Sequence, residues 1–224
     1  MARTNHTFSA IQSLRERYHQ ALPSKEALMR VVSEAEIPEH VYNSNAIENS
    51  TLTLEETEKI LLQIDLDRYV STREIFEAKN LARVTSYIEE KAKEAELSKD
   101  IMLFLHKMLI GNIRDDIAGR FRKEGEWVRV GAHIGADPLD VDRLLTEMLS
   151  TYNANVTRSI VERIARFHLT FENIHPFCDG NGRIGRVANN SYSFAKGTRP
   201  STSRLSTARS TMTRSRNLNQ KEMP

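Results

Sequence analysis

The 224-residue chain, 39% hydrophobic and 28% charged, has material for one medium core and a small appendage. It shows neither the roughly 18 consecutive apolar residues of a membrane span nor an apolar leader after Met1, and its single cysteine, Cys178, excludes an internal disulfide and a Cys-rich zinc site; the expected compartment is therefore the cytoplasm, with no membrane partner. The net charge of +2 is uneven: Lys196 to the end carries seven basic residues and one acid, or +6, which leaves −4 on residues 1–195.

In chain order, apolar residues recurring every three or four positions predict helices around 8–21, 25–36, 53–64, 72–95, 99–111, 138–152 and 160–171, and hence an all-α fold. Thr53-Leu54-Glu55-Glu56 has the T-x-x-E form of a capping box and starts the third of these. Between Gly119 and Ile134 the pattern changes to β-branched and aromatic residues punctuated by Gly125 and Gly131, which predicts a β-hairpin over Arg120–Ile134. After Gly197, Ser, Thr and Arg supply 15 of the last 28 residues. This composition cannot offset its ordering entropy, and the tail 197–224 is expected to be disordered. The tail is basic, but the body has no basic face or zinc-finger spacing to accompany it, so nucleic acid is not the expected partner.

The informative segment is His175-Pro-Phe-Cys-Asp-Gly-Asn-Gly-Arg-Ile-Gly-Arg186, lying between two helical patterns. Pro176 disfavours the α region at His175 and ends the first helix there. Gly180 and Gly182 let backbone amides at the start of the second helix approach a ligand, where the helix dipole favours anions. Arg183 and Arg186 supply fork-shaped donors for phosphate oxygens. Asp179 is a lone carboxylate of the kind that holds Mg²⁺ together with substrate phosphates, and His175 can take a proton from a hydroxyl near neutral pH.

This string fits H-P-F-x-D/E-G-N-G-R-x-x-R and resembles the Fic (Fido) family of protein AMP-transferases. The resemblance implies a Fic-fold helical bundle with a short β-hairpin flap. It implies His175 as general base for a target Tyr, Thr or Ser hydroxyl that attacks the α-phosphorus of ATP, and Asp179 as the Mg²⁺ ligand. It also implies Gly180, Asn181, Gly182, Arg183, Gly185 and Arg186 as the phosphate site and Phe177 as a core anchor. Gly119-Arg-Phe-Arg122 with Trp127 to Ile134 is similar to the family's flap, so Val128, Arg129, Val130 and Gly131 are expected nearest ATP, and a target segment would pair with this hairpin. Ser44-Asn-Ala-Ile-Glu48-Asn49 resembles the family's inhibitory motif S/T-x-x-x-E-G/N. Glu48 would then pair with Arg186 and take the place of the γ-phosphate.

These expectations divide the chain into residues 1–65 with the inhibitory motif, a Fic core over 66–196, and the basic tail. The resemblance stops near Lys196; the tail lacks the Tyr and Asn that family members place in the adenine pocket, although Asn189 and Asn190 could reach the base. A degenerate or out-of-frame end, or an arm for an anionic surface, would each explain its composition. The expected function is Mg²⁺-dependent transfer of AMP to a target protein or to the enzyme itself, restrained by Glu48. Removal of AMP, transfer of another group such as UMP or phosphocholine, and a non-catalytic nucleotide-binding regulator are the other readings. Apolar helical surfaces could pack a homodimer.

Overall fold

The computed structural model describes residues 25–91, 96–154 and 160–195, with scattered residues between 10 and 20. Among the described residues there are seven α-helices and one two-stranded sheet. The helices are α1 (Glu26–Ile47), α2 (Leu54–Leu61), α3 (Thr72–Lys91), α4 (Lys99–Ile110), α5 (Val141–Ala154), α6 (Ile160–Ile174) and α7 (Asn181–Ala195). The sheet pairs β1 (Arg129–Val130) with β2 (His133–Ile134) antiparallel, Arg129 opposite Ile134 and Val130 opposite His133. The expected helix over 8–21 and the tail after Gly197 lie largely or wholly outside the described residues.

Helix α3 is the centre of the bundle, packing against α1, α2, α4 and α7, while α6 lies between α5 and α7. The fully buried side chains Leu81, Met102, Leu105, Leu109, Ile110, Leu145, Phe171, Phe177 and Ile184 come from α3 through α7 and join these helices into one core. Some polar groups inside the core find partners there. The buried Asn80 amide on α3, for instance, donates to Leu109 O at 3.0 Å and Gly111 O at 2.8 Å, satisfying carbonyls at the open end of α4.

The capping box forms as its sequence requires: the Thr53 hydroxyl accepts from the Glu56 amide at 3.1 Å, and the Thr53 amide donates to the Glu56 carboxylate at 2.8 Å. Two expectations need correction. The helix expected over 25–36 continues to Ile47, straight through Pro38. A proline inside a helix costs about 3 kcal/mol, but the turns beyond it bury Val41, Asn43, Ser44 and Asn45, and that packing outweighs local propensity. The hairpin expected over Arg120–Ile134 is only two residues per strand. Its first half is held as a closed loop instead, because the Arg120 guanidinium clasps both Glu126 oxygens at 2.7 and 2.8 Å and the Lys123 amide donates to the same carboxylate.

Candidate active site

Helix α6 ends at Ile174, and His175 adopts a left-handed backbone (φ 51°) that turns the chain out of the helix while its amide still bonds Phe171 O at 2.8 Å. The ring of Phe177 is fully buried, stacked 3.9 Å from His106 and packed against Phe121 and Phe171, as a loop anchor should be. Asn181 fastens the loop from the other side: its side-chain oxygen accepts from the Phe177 amide at 2.8 Å and its nitrogen donates to Phe177 O at 2.7 Å. The Asn181 side chain is therefore engaged, and what it can offer an anion is its backbone amide at the start of α7. Gly180 requires its lack of a side chain twice over. Its φ is 77°, and a Cβ there would stand 3.0 Å from Ile110 Cδ1.

Asp179 carries two different loads. Its Oδ1 accepts from the Gly180 amide at 2.6 Å and from Arg183 at 3.2 Å, and its Oδ2 accepts from Arg73 at 3.2 Å. Arg183, buried, also pairs with Glu77 at 3.3 Å, and Glu77 pairs with Arg73, closing a network of two cations and two anions. Among the described residues no cluster of three or more His, Cys, Asp or Glu side chains forms a cage for a metal. The donor set nevertheless fits Mg²⁺, which usually takes one or two carboxylates and completes its shell with substrate phosphates and water. Asp179, with 28% of its side chain exposed, would be that carboxylate.

Arg186 turns the other way, toward α1. Its Nε donates to the Ser44 hydroxyl at 2.9 Å, and Nη2 donates to Ser44 O at 3.0 Å and to Glu48 Oε1 at 2.7 Å. The motif Ser44–Asn49 thus forms the C-terminal end of α1, with Glu48 as its cap. The carboxylate lies over Gly182, where an added Cβ would run into Glu48 Oε1 and approach Arg186 Nη1. A bare glycine in the first turn of α7 is what lets an anion settle there. Nearby, burial and then the charge of Arg186 push the His40 imidazole down to about 4. Gly185 faces α6 instead, against Phe171 and Glu172, so its small size serves helix packing.

The hairpin reaches this loop by direct bonds. Ala136 N–H donates to Ile174 O at 3.2 Å, His133 Nε2 meets Asn173 O at 3.1 Å, and Gly135 N–H closes the hairpin base on Val128 O at 3.0 Å. Arg129, Val130 and Gly131 stand exposed on it. Gly135 packs so closely that a Cβ would come 3.0 Å from His175 Cβ.

Three supports went unrecognised in the sequence. Arg122, only 4% exposed, donates to His175 O at 2.8 Å, Ile174 O at 3.2 Å, Ala136 O at 2.7 Å and Glu126 O at 2.9 Å, and its own amide donates to Pro176 O at 2.9 Å. Burial pushes this guanidinium down from its usual value. It rivets the hairpin base to the loop that carries His175. His106 accepts from the Gly119 amide at Nδ1 (3.0 Å) and so donates from Nε2 to Asp179 O at 3.1 Å; burial pushes it down to about 4, which keeps it neutral for both bonds. Arg73 and Glu77 brace Asp179 and Arg183, and their i,i+4 spacing looks like any surface pair.

Residues 96–193, which include the whole loop and hairpin, match the Fic/DOC family. The match takes in a little under half of the chain. Across a wider stretch, the chain is 30% identical over 217 residues to Protein adenylyltransferase Fic of Drosophila persimilis and 28% identical over 216 residues to that of Drosophila willistoni. Each alignment covers 89% of this chain but only 42% of the fly protein, so the chain spans about two fifths of the length of these relatives. The chain superposes on Fic-1 from C. elegans with a TM-score of 0.79 at 25% identity, covering 97% of this chain and 65% of that one. A Fic domain containing signaling protein from Bacteroides thetaiotaomicron gives 0.73 at 25% identity, covering 84% and 73%. Away from the His175 loop, a cavity of about 460 Å³ lies between α5 and α6, lined by Leu144, Met148, Tyr152, Phe167 and Ile174.

Proposed function

We propose that the chain transfers AMP from ATP to a Tyr, Thr or Ser hydroxyl of a protein and that Glu48 restrains it. The observation that carries this reading is the Glu48–Arg186 pair at 2.7 Å, set over Gly182 in the first turn of α7 within a Fic motif. A carboxylate there occupies the ground that the terminal phosphate of ATP needs, with the same guanidinium and the same helix amides as its partners. The naming of the fly relatives as adenylyltransferases supports the reaction class.

In this reading the N-terminal amides of α7, from Asn181, Gly182 and Arg183, cradle the phosphates, and Arg186 binds them once Glu48 withdraws. Bound Mg²⁺, held by Asp179, would screen the phosphate charge. His175 accepts the proton of the target hydroxyl as its oxygen attacks the α-phosphorus and pyrophosphate leaves, so catalysis rests on positioning and charge complementarity. The target would lie along the exposed edge of Arg129–Gly131, its main chain adding to the hairpin. Residues 1–65 then serve as the brake and 66–196 as the catalytic core.

The test is to incubate the parent and Glu48→Gly proteins with Mg²⁺ and ATP labelled at the α-phosphate, with lysate proteins as acceptors. The expected result is weak labelling by the parent, strong labelling by Glu48→Gly, and none when His175→Ala is added. A folded Glu48→Gly protein that binds ATP and labels nothing would replace the transferase with a nucleotide-binding regulator.

A further inference from the structure

The mechanism leaves one half-buried acid beside the base unused. Glu172 stands one turn before His175, in the last turn of α6, and its Oε2 is 3.6 Å from His175 Nδ1. Nδ1 is buried and has no hydrogen-bond partner among the described residues, and the same holds for the other oxygen of Glu172. The left-handed backbone at His175 takes the main chain away from α6, yet the ring still faces back toward this carboxylate. Gly185 of α7 stands beside the acid, close enough that a Cβ there would come 3.0 Å from Glu172 Oε1.

We propose that Glu172 is a positioning residue for His175: its carboxylate receives the Nδ1 proton and thereby leaves Nε2 as the basic nitrogen for the target hydroxyl. The argument is one of desolvation. A neutral imidazole carries a single N–H. Were it on Nε2, the Nδ1 lone pair would face a carboxylate oxygen 3.6 Å away, too close for a water between them, two acceptors set against each other. With the proton on Nδ1 the pair is satisfied, and a shortening of a few tenths of an ångström makes it a normal charge-assisted bond. Burial raises the affinity of Glu172 for a proton, but the approach of His175 and the charges of His168, His175 and Arg186 more than offset this and hold its carboxyl below the usual range. An ionised Glu172 also stabilises the imidazolium that forms when the hydroxyl proton moves to Nε2, the target oxygen bonds to the α-phosphorus and the bond to pyrophosphate breaks. The logic is that of a base oriented by a third group.

This inference rests on His175 as the base, and its test separates the two. The full chain carrying Glu48→Gly is labelled with ¹⁵N-histidine, and the ring signals of His175 are assigned by their loss in His175→Ala. At neutral pH the parent should show the Nδ1–H tautomer. Glu172→Gln keeps an acceptor and should keep that tautomer, while Glu172→Leu should move the proton to Nε2. With labelled ATP, kcat should fall about tenfold for Gln and about a hundredfold for Leu, with KM for ATP within about twofold of the parent because neither change touches the phosphate site. An Nε2–H tautomer in the parent, or an unchanged kcat in the isosteric Gln variant, would overturn the proposal. A tautomer that responds as described in a protein that transfers no AMP would uphold the pairing and remove the transferase reading instead.

Discussion

Arg122 shows how one residue can set the geometry of a site without facing the substrate. Its guanidinium is spent wholly on carbonyl oxygens, from the hairpin base on one side and from Ile174 and His175 on the other. A planar fork with five donors can do this and a lysine cannot, since its single ammonium reaches fewer acceptors. Arg122→Lys is expected to lower AMP transfer about tenfold while leaving most of the stability, whereas Arg122→Met, which strands several buried carbonyls, should cost about 3 kcal/mol or more in urea unfolding and abolish transfer. Equal activity in the two variants would refute a positioning role. The loop that carries His175, Asp179 and Arg186 was legible as one candidate site because its polar residue types are compressed into twelve consecutive positions. Their supports were not, because Arg73, Glu77, His106, Arg122 and Glu172 are scattered over helices and a loop, and each has the local pattern of an ordinary helical or loop residue until the chain folds.

Among elements, the helices were readable where amphipathic periodicity and caps agree. The capping box at Thr53 and Glu56 forms as its four residues require. What periodicity missed is α1, where a proline at position 38 argues for a stop and tertiary packing overrides it. The hairpin was placed correctly but drawn too long, since the clasp between Arg120 and Glu126 is a side-chain event with no backbone period. Helix α1 also carries a pH-dependent liability in His40. Burial and Arg186 hold its imidazole at about 4 against an ordinary 6.5, so the unfolded chain takes up a proton that the folded one resists. The stability present above pH 6.5 is therefore lost as pH falls toward 4, by up to about 1.4 kcal/mol per unit. His106, also held at about 4, adds a slope of the same sign, so urea titrations across this range should show both contributions and His40→Gln should remove about half of the slope; an identical slope in the variant would show that His40 contributes nothing.

For the whole molecule, the N-terminal helix and the rest of the bundle are continuous in packing. Val41 of α1 is fully buried, and α1 lies against both α3 and α7. Deleting residues 1–65 should therefore yield an insoluble or unfolded product, while Glu48→Gly should keep its melting temperature within a few degrees of the parent; a soluble, cooperatively melting 66–224 fragment would contradict this. The end of α1 has a further consequence. Its last turn holds no basic residue, and Glu48 places a negative charge at the negative pole of its own helix dipole. That charge is tolerable only because the positive pole of α7 and Arg186 stand opposite. An arriving phosphate that claims those partners leaves the carboxylate repelled by its own helix. In the proposed reading, nucleotide occupancy and the integrity of the last turn of α1 are thus thermodynamically linked, each weakening the other by the same factor.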